Sequence, residues 1–119
     1  MQFSDLPKGF GLKEMSLMHE NAIDAADFLK ALAHEGRLMI LCHLASGEKS
    51  VTELEDLLQY RQAAVSQQLA RLRLEGMVTY RREGKAIYYA LNGEKSRRVL
   101  ALIYDMFCEK AASDNAELN

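Results

Sequence analysis

The sequence predicts a mainly α chain, a winged helix-turn-helix of about five helices with a two-stranded β-wing, and three observations predict it. Apolar residues recur every three or four positions in five stretches between Glu14 and Phe107. Two of these stretches are short and separated only by Gln59-Tyr60-Arg61, as a helix-turn-helix requires. The period then changes to two from Met77 to Leu91, on either side of Glu83-Gly84-Lys85. A chain of 119 residues, 49% hydrophobic with one Pro and seven Gly, suits a single ordered domain with a core of its own.

Met15, Met18, Ala22, Ala26, Leu29 and Leu32 place one apolar stripe on a first helix from about Glu14 to Ala33. His34-Glu35-Gly36-Arg37 interrupts it. Leu38, Leu41, Cys42 and Ala45 mark a second helix, closed by Ser46-Gly47. Ser50 or Thr52 can cap a third, with Glu53 or Glu55 as the capping-box partner, and Val51, Leu54, Leu57 and Leu58 form its buried side. A fourth helix begins near Gln62, turns Val65, Leu69 and Leu72 inward, and ends at Gly76. Val78 and Tyr80, then Ile87, Tyr89 and Leu91, alternate with polar residues in the hairpin. A last helix from about Gly93 carries Val99, Leu102, Ile103, Met106 and Phe107. The expected organisation is an N-terminal arm at 1–13, the domain at 14–112 and a small polar tail at 113–119.

Charge is unevenly spread. Residues 1–60 hold five Lys/Arg against ten Asp/Glu, 61–98 hold nine against three, and 99–119 hold one against four. A basic middle between acidic ends suits a face that meets an anion, since phosphate contacts dominate the affinity of DNA binders. A solvated charge run would look similar. With Val65, Leu69 and Leu72 inside, the 100° helical step leaves Gln62, Ala63, Ser66, Gln67, Ala70, Arg71 and Arg73 on the outside or flanks of the fourth helix, beside Gln68. Gln can pair with adenine, Ser with several base edges, and small Ala residues let the helix approach a thymine methyl. Arg61 before the helix, and Arg81, Arg82 and Lys85 in the wing, are placed to hold phosphates of double-stranded DNA. A plain polar helix surface, or a module that docks an acidic protein, uses the same residue types.

The run Leu32-Ala33-His34-Glu35-Gly36-Arg37-Leu38, the stretch from Val65 to Val78 and the segment Arg81 to Tyr89 together resemble the ArsR (ArsR/SmtB) family of bacterial repressors, over roughly Met15 to Phe107. The resemblance implies a homodimer paired through the first and last helices, a partly palindromic operator, and release by an inducer. Many members of that family sense metals through a Cys-x-Cys pair in the third helix or Asp/His and His/Glu ligands on the last. The third helix here lacks Cys and Glu94 to Ala112 lacks His; His19, His34, Cys42, His43 and Cys108 form only a loose set. No metal and no cofactor is expected.

Met1 to Lys13 does not read as a secretory signal and no stretch is long enough to span a bilayer, so a cytoplasmic protein with no membrane partner is expected. In a reducing compartment the two cysteines should rest as thiols. Two small buried hydrophobes would also explain Cys42 and Cys108. Their placement on the second and last helices resembles the persulfide-sensing SqrR/BigR subgroup, whose sensing dithiol they match; a further N-terminal Cys found in some relatives is absent. This implies a persulfide or polysulfide inducer, redox sensing by Cys42 and Cys108, and control of sulfide-oxidation genes. A metal or general oxidant is the alternative signal. A thiol enzyme is disfavoured, because there is no Cys-x-x-Cys and no phosphate-cradling glycine loop.

Overall fold

The computed structural model describes residues 11–109. Its order is α1 (Leu12–Leu32), α2 (Glu35–Ala45), β1 (Lys49–Ser50), α3 (Val51–Leu58), α4 (Gln62–Leu74), β2 (Val78–Glu83), β3 (Ala86–Leu91) and α5 (Lys95–Tyr104), with a π-helical turn over Asp105–Glu109. Leu12 and Lys13 already belong to α1. The rest of the expected arm except Gly11, and the tail at 113–119, lie outside the described residues.

Local chemistry accounts for the breaks between helices. The His34 ring accepts a hydrogen bond from Arg37 N at 3.3 Å and starts α2. Ser50, rather than Thr52, starts α3 through a full capping box: its hydroxyl accepts from Glu53 N and its own N–H donates to Glu53 Oε1, both at 3.0 Å. Gln59 ends α3 in the left-handed region at φ 57°, the only non-glycine among the described residues to do so. The three residues between α3 and α4 are too few for anything but a tight reversal, which fixes the helix-turn-helix angle.

Ile40, Leu41 and Leu44 of α2, Leu54 of α3, and Val65, Leu69 and Leu72 of α4 are almost fully buried, joined by Met77, Val78 and Leu100. α2 therefore lies at the centre, with α3, α4, the sheet and α5 around it. Packing on several sides at once is why its apolar residues do not form one clean stripe. Cys42, read as part of such a stripe, is exposed.

The expected two-stranded wing is formed by β2 and β3, and a short third strand adds to it: Lys49 and Ser50 pair antiparallel with Tyr89 and Tyr88, giving the order β1-β3-β2. A two-residue strand has no period to recognise and exists only because β3 offers it an edge. The last helix begins at Lys95, after a turn in which Gly93 sits at φ 81°, and its regular α geometry stops at Tyr104. Its buried side is Ser96 and Leu100, whereas Leu102, Met106 and Phe107 are 53%, 54% and 69% exposed. The α1 stripe behaves likewise: only Ala31 and Leu32 are buried, and Met15, Met18 and Leu29 face outward. Both stripes are present, and among the described residues they are left largely exposed.

Candidate functional site

α4 separates its two sides sharply. Val65, Leu69 and Leu72 are in the core, while Gln62, Ala63, Ser66, Gln67, Ala70 and Arg73 are exposed. Arg61 is the exposed N-cap and supplies no side-chain cap, so the first-turn amides of α4 have no side-chain acceptor at that position. Arg71 is half-buried; its Nε faces Glu75 Oε1 at 3.4 Å, an ion pair without hydrogen-bond alignment. Gln68 stands apart from the outer face. It is half-buried, and its Oε1 accepts from Arg37 Nη1 of α2 at 3.0 Å.

The wing is a two-residue hairpin in which Glu83 pairs with Ala86 and Gly84 takes φ 61°. Strand alternation sends its cations to opposite faces. Val78, Tyr80 and Arg82 share one face with Leu91, Tyr89 and Ile87 opposite them. This face turns toward α4, because the Arg73 guanidinium lies 4.2 Å from the centre of the Tyr80 ring, which itself packs on Tyr89 at 5.8 Å. Arg82 is on this side and Lys85 is at the tip; both are exposed and make no ion pair among the described residues.

Arg81 is on the other face. Its Nε and Nη2 donate to the two Glu48 oxygens and its Nη1 to Glu83 Oε2, all at 2.8 Å, and its guanidinium lies 4.6 Å from the centre of the Tyr88 ring. The hydrogen bonds from Arg81 hold the Glu48 carboxyl below the usual carboxylate range. Arg81 therefore joins the wing to the residue before β1, with two carboxylates about its single positive charge. Glu48 and Tyr88 could not be anticipated, since neither carries a local signal.

Cys42 and Cys108 are free thiols and both exposed. Cys42 opens from α2 into a cleft of about 320 Å³ walled by Ala45, Arg97, Leu100, Ala101 and Tyr104. Arg97 Nη1 donates to Ala45 O at 3.2 Å and ties α5 to the end of α2. Burial, then the charge of a nearby Cys108 thiolate, push the Cys42 thiol up from its ordinary value. Cys42 belongs to α2 and Cys108 to the π-helical turn after α5. Among the described residues no three His, Cys, Asp or Glu side chains gather as a metal site, and no helix is long and apolar enough to cross a membrane.

Residues 34–80 match the family described as bacterial regulatory protein, arsR family. The chain is 45% identical over 102 residues to the biofilm growth-associated repressor of Agrobacterium fabrum, covering 86% of this chain and 87% of that protein. The structure of the transcriptional repressor BigR from Xylella fastidiosa superposes with a TM-score of 0.75 at 40% identity, over 79% of this chain and 96% of that one. Reduced HlyU from Vibrio cholerae gives 0.74 at 38%, over 79% and 99%.

Proposed function

The chain belongs to the ArsR family of bacterial regulatory proteins and is a transcriptional regulator, not an enzyme; on that premise we propose that it is a homodimeric, sequence-specific DNA-binding repressor switched by reactive sulfur. The observation that carries the DNA reading is the face of α4, whose outward Gln62, Ala63, Ser66 and Gln67 stand above a fully buried inner row. These residues read base edges in the major groove. Arg61, the first-turn amides of α4, Arg82 and Lys85 bind phosphate and set register, with Arg71 on the flank. The name of the Agrobacterium repressor supports repression as the mode of regulation.

The dimer joins the outward stripes of α1 and α5. Exposed Met15, Met18 and Leu29 on one, and Leu102 on the other with Met106 and Phe107 in the π-helical turn that continues it, form the kind of apolar surface a soluble protein covers with a partner. Two-fold pairing sets two α4 helices against two half-sites about one DNA turn apart, hence a partly palindromic operator.

Cys42 and Cys108 form the sensor. Cys42 lies in the cleft between α2 and α5, and Cys108 is the attacking sulfur. It takes the outer sulfur of a persulfide RSSH, giving Cys108–SSH and RSH. The Cys108 persulfide then attacks a second RSSH at the sulfur bonded to R and expels hydrogen sulfide. Cys42 finally displaces RSH from the resulting Cys108–S–S–SR, which closes a trisulfide bridge. Overall two thiols and two persulfides give one trisulfide, two RSH and one hydrogen sulfide. The bridge links α2, which supports the reading head, to the end of α5, and restrains how far apart the two α4 helices stand. DNA affinity falls, and the genes released are those for sulfide oxidation.

The test has two parts. Duplexes selected from a random library by the reduced protein should share a two-fold sequence and bind as a 2:1 complex; selection of no common sequence overturns the DNA reading. Peptide mass spectra after glutathione persulfide should show Cys42 and Cys108 joined with added sulfur, and the bridged protein should release the selected duplex. Inert thiols, or a plain disulfide formed equally with peroxide, overturn the sulfur reading alone.

A further inference from the structure

One half-buried cation is committed entirely to joining the end of α1 to α4. Arg37 Nε donates to Ala31 O at 2.6 Å and Nη2 to Lys30 O at 3.1 Å, so the guanidinium caps the negative C-terminal end of α1. Its remaining arm, Nη1, donates to Gln68 Oε1 at 3.0 Å, 31 positions along the chain. The junction around it is tight. A Cβ on Gly36 would stand 3.0 Å from His34 Cε1 and 3.3 Å from Tyr60 Cε2, so the start of α2 is wedged between its own cap and the turn that leads into α4.

We propose that Arg37 and Gln68 are positioning residues that transmit the placement of α1 to the reading helix α4, and that Gln68 acts through Arg37 rather than on DNA. The inference rests on the DNA-reading proposal above, in which α1 pairs the protomers and α4 enters the groove. A planar guanidinium is suited to the task, because its donors leave in fixed directions and one rigid group can hold carbonyls of one helix and an amide of another. Lysine would keep the charge and lose the fork. The chain of contacts then runs from the partner protomer through α1, Lys30 and Ala31, Arg37 and Gln68 to the side of α4 opposite its exposed face. A shift of α1 reaches the reading face without passing through the wing.

The experiment uses the full chain, the duplex selected by the wild type, and the variants Gln68→Met, Gln68→Glu and Arg37→Lys. Gln68→Met keeps length and loses the acceptor; its affinity should fall roughly ten-fold, the scale of one hydrogen bond to a charged group. Gln68→Glu keeps the acceptor and should bind within about three-fold of wild type despite its added negative charge. Arg37→Lys should fall like Gln68→Met, and the double variant no further, since both break one link. The preferred DNA sequence should stay the same in all of them. A Gln68→Glu protein that binds as poorly as Gln68→Met, or a changed base preference, means that Gln68 meets DNA itself and overturns the proposal. Amide exchange in the free protein gives a readout independent of DNA. α4 should exchange faster in Gln68→Met and not in Gln68→Glu, and equal exchange removes the clamp even if the wild type selects no sequence.

Discussion

Arg81 and Arg82 are adjacent in sequence and face opposite ways, and exchanging each for Gln should give two different salt dependences. Arg82 is exposed on the α4 side of the wing with no ion pair among the described residues, whereas Arg81 is held by Glu48 and Glu83 at 2.8 Å. Each phosphate neutralised contributes about 0.9 to the slope of log K against log salt. The proposed dimer carries two wings, so Arg82→Gln should flatten the slope by about 1.8, and its affinity deficit should shrink by about 12-fold between 50 and 200 mM salt. With Arg81 held by Glu48 and Glu83, Arg81→Gln should leave the slope within about 0.5 of wild type. Its effect is instead to free two carboxylates beside the wing and to loosen the hairpin from β1. Fluorescence anisotropy on the selected duplex across that salt range separates the two. Equal flattening by both substitutions would refute the assignment of the cations to opposite roles.

Three further outcomes follow from the packing and the local chemistry. Iodoacetamide should modify Cys42 more slowly than a cysteine in a short reference peptide at neutral pH and approach it as pH rises, because burial, then the charge of Cys108, push the Cys42 thiol up; Cys108→Ser should speed Cys42 only in part, and peptide mass spectra over a pH series would show a failure of either trend. Leu72, fully buried on the inner side of α4, should cost about 2 to 5 kcal/mol as Leu72→Ala in urea unfolding, against little change for Ala70→Ser on the exposed side. Gln59→Gly should stabilise the fold by up to about 1 kcal/mol, since glycine relieves the left-handed backbone at φ 57° at some entropic cost in the unfolded chain; a loss of stability would mean that the bond from Gln59 Nε2 to Asp56 O, at 2.8 Å, outweighs the relief.

Local signals were enough for much of the molecule. Apolar spacing, the Ser50–Glu53 box, the short Gln59-Tyr60-Arg61 link and the switch to period two are each contained in a few neighbouring residues, and a helix or hairpin is decided on that length scale. The inward row of α4, and hence which of its side chains face solvent, follows from the same periodicity. Tertiary structure decided what distant residues do to one another. Arg81 is set apart from Arg82 by Glu48, 33 positions away, and Gln68 receives a hydrogen bond from Arg37, 31 positions away. The third strand exists because β3 has a free edge. Cys42 faces α5 across a cleft because α2 lies at the centre of the core. The outward turn of the α1 and α5 stripes has the same origin: periodicity marks an apolar face, but only the packing of the whole chain determines whether that face finds its cover within the chain or is left for another molecule.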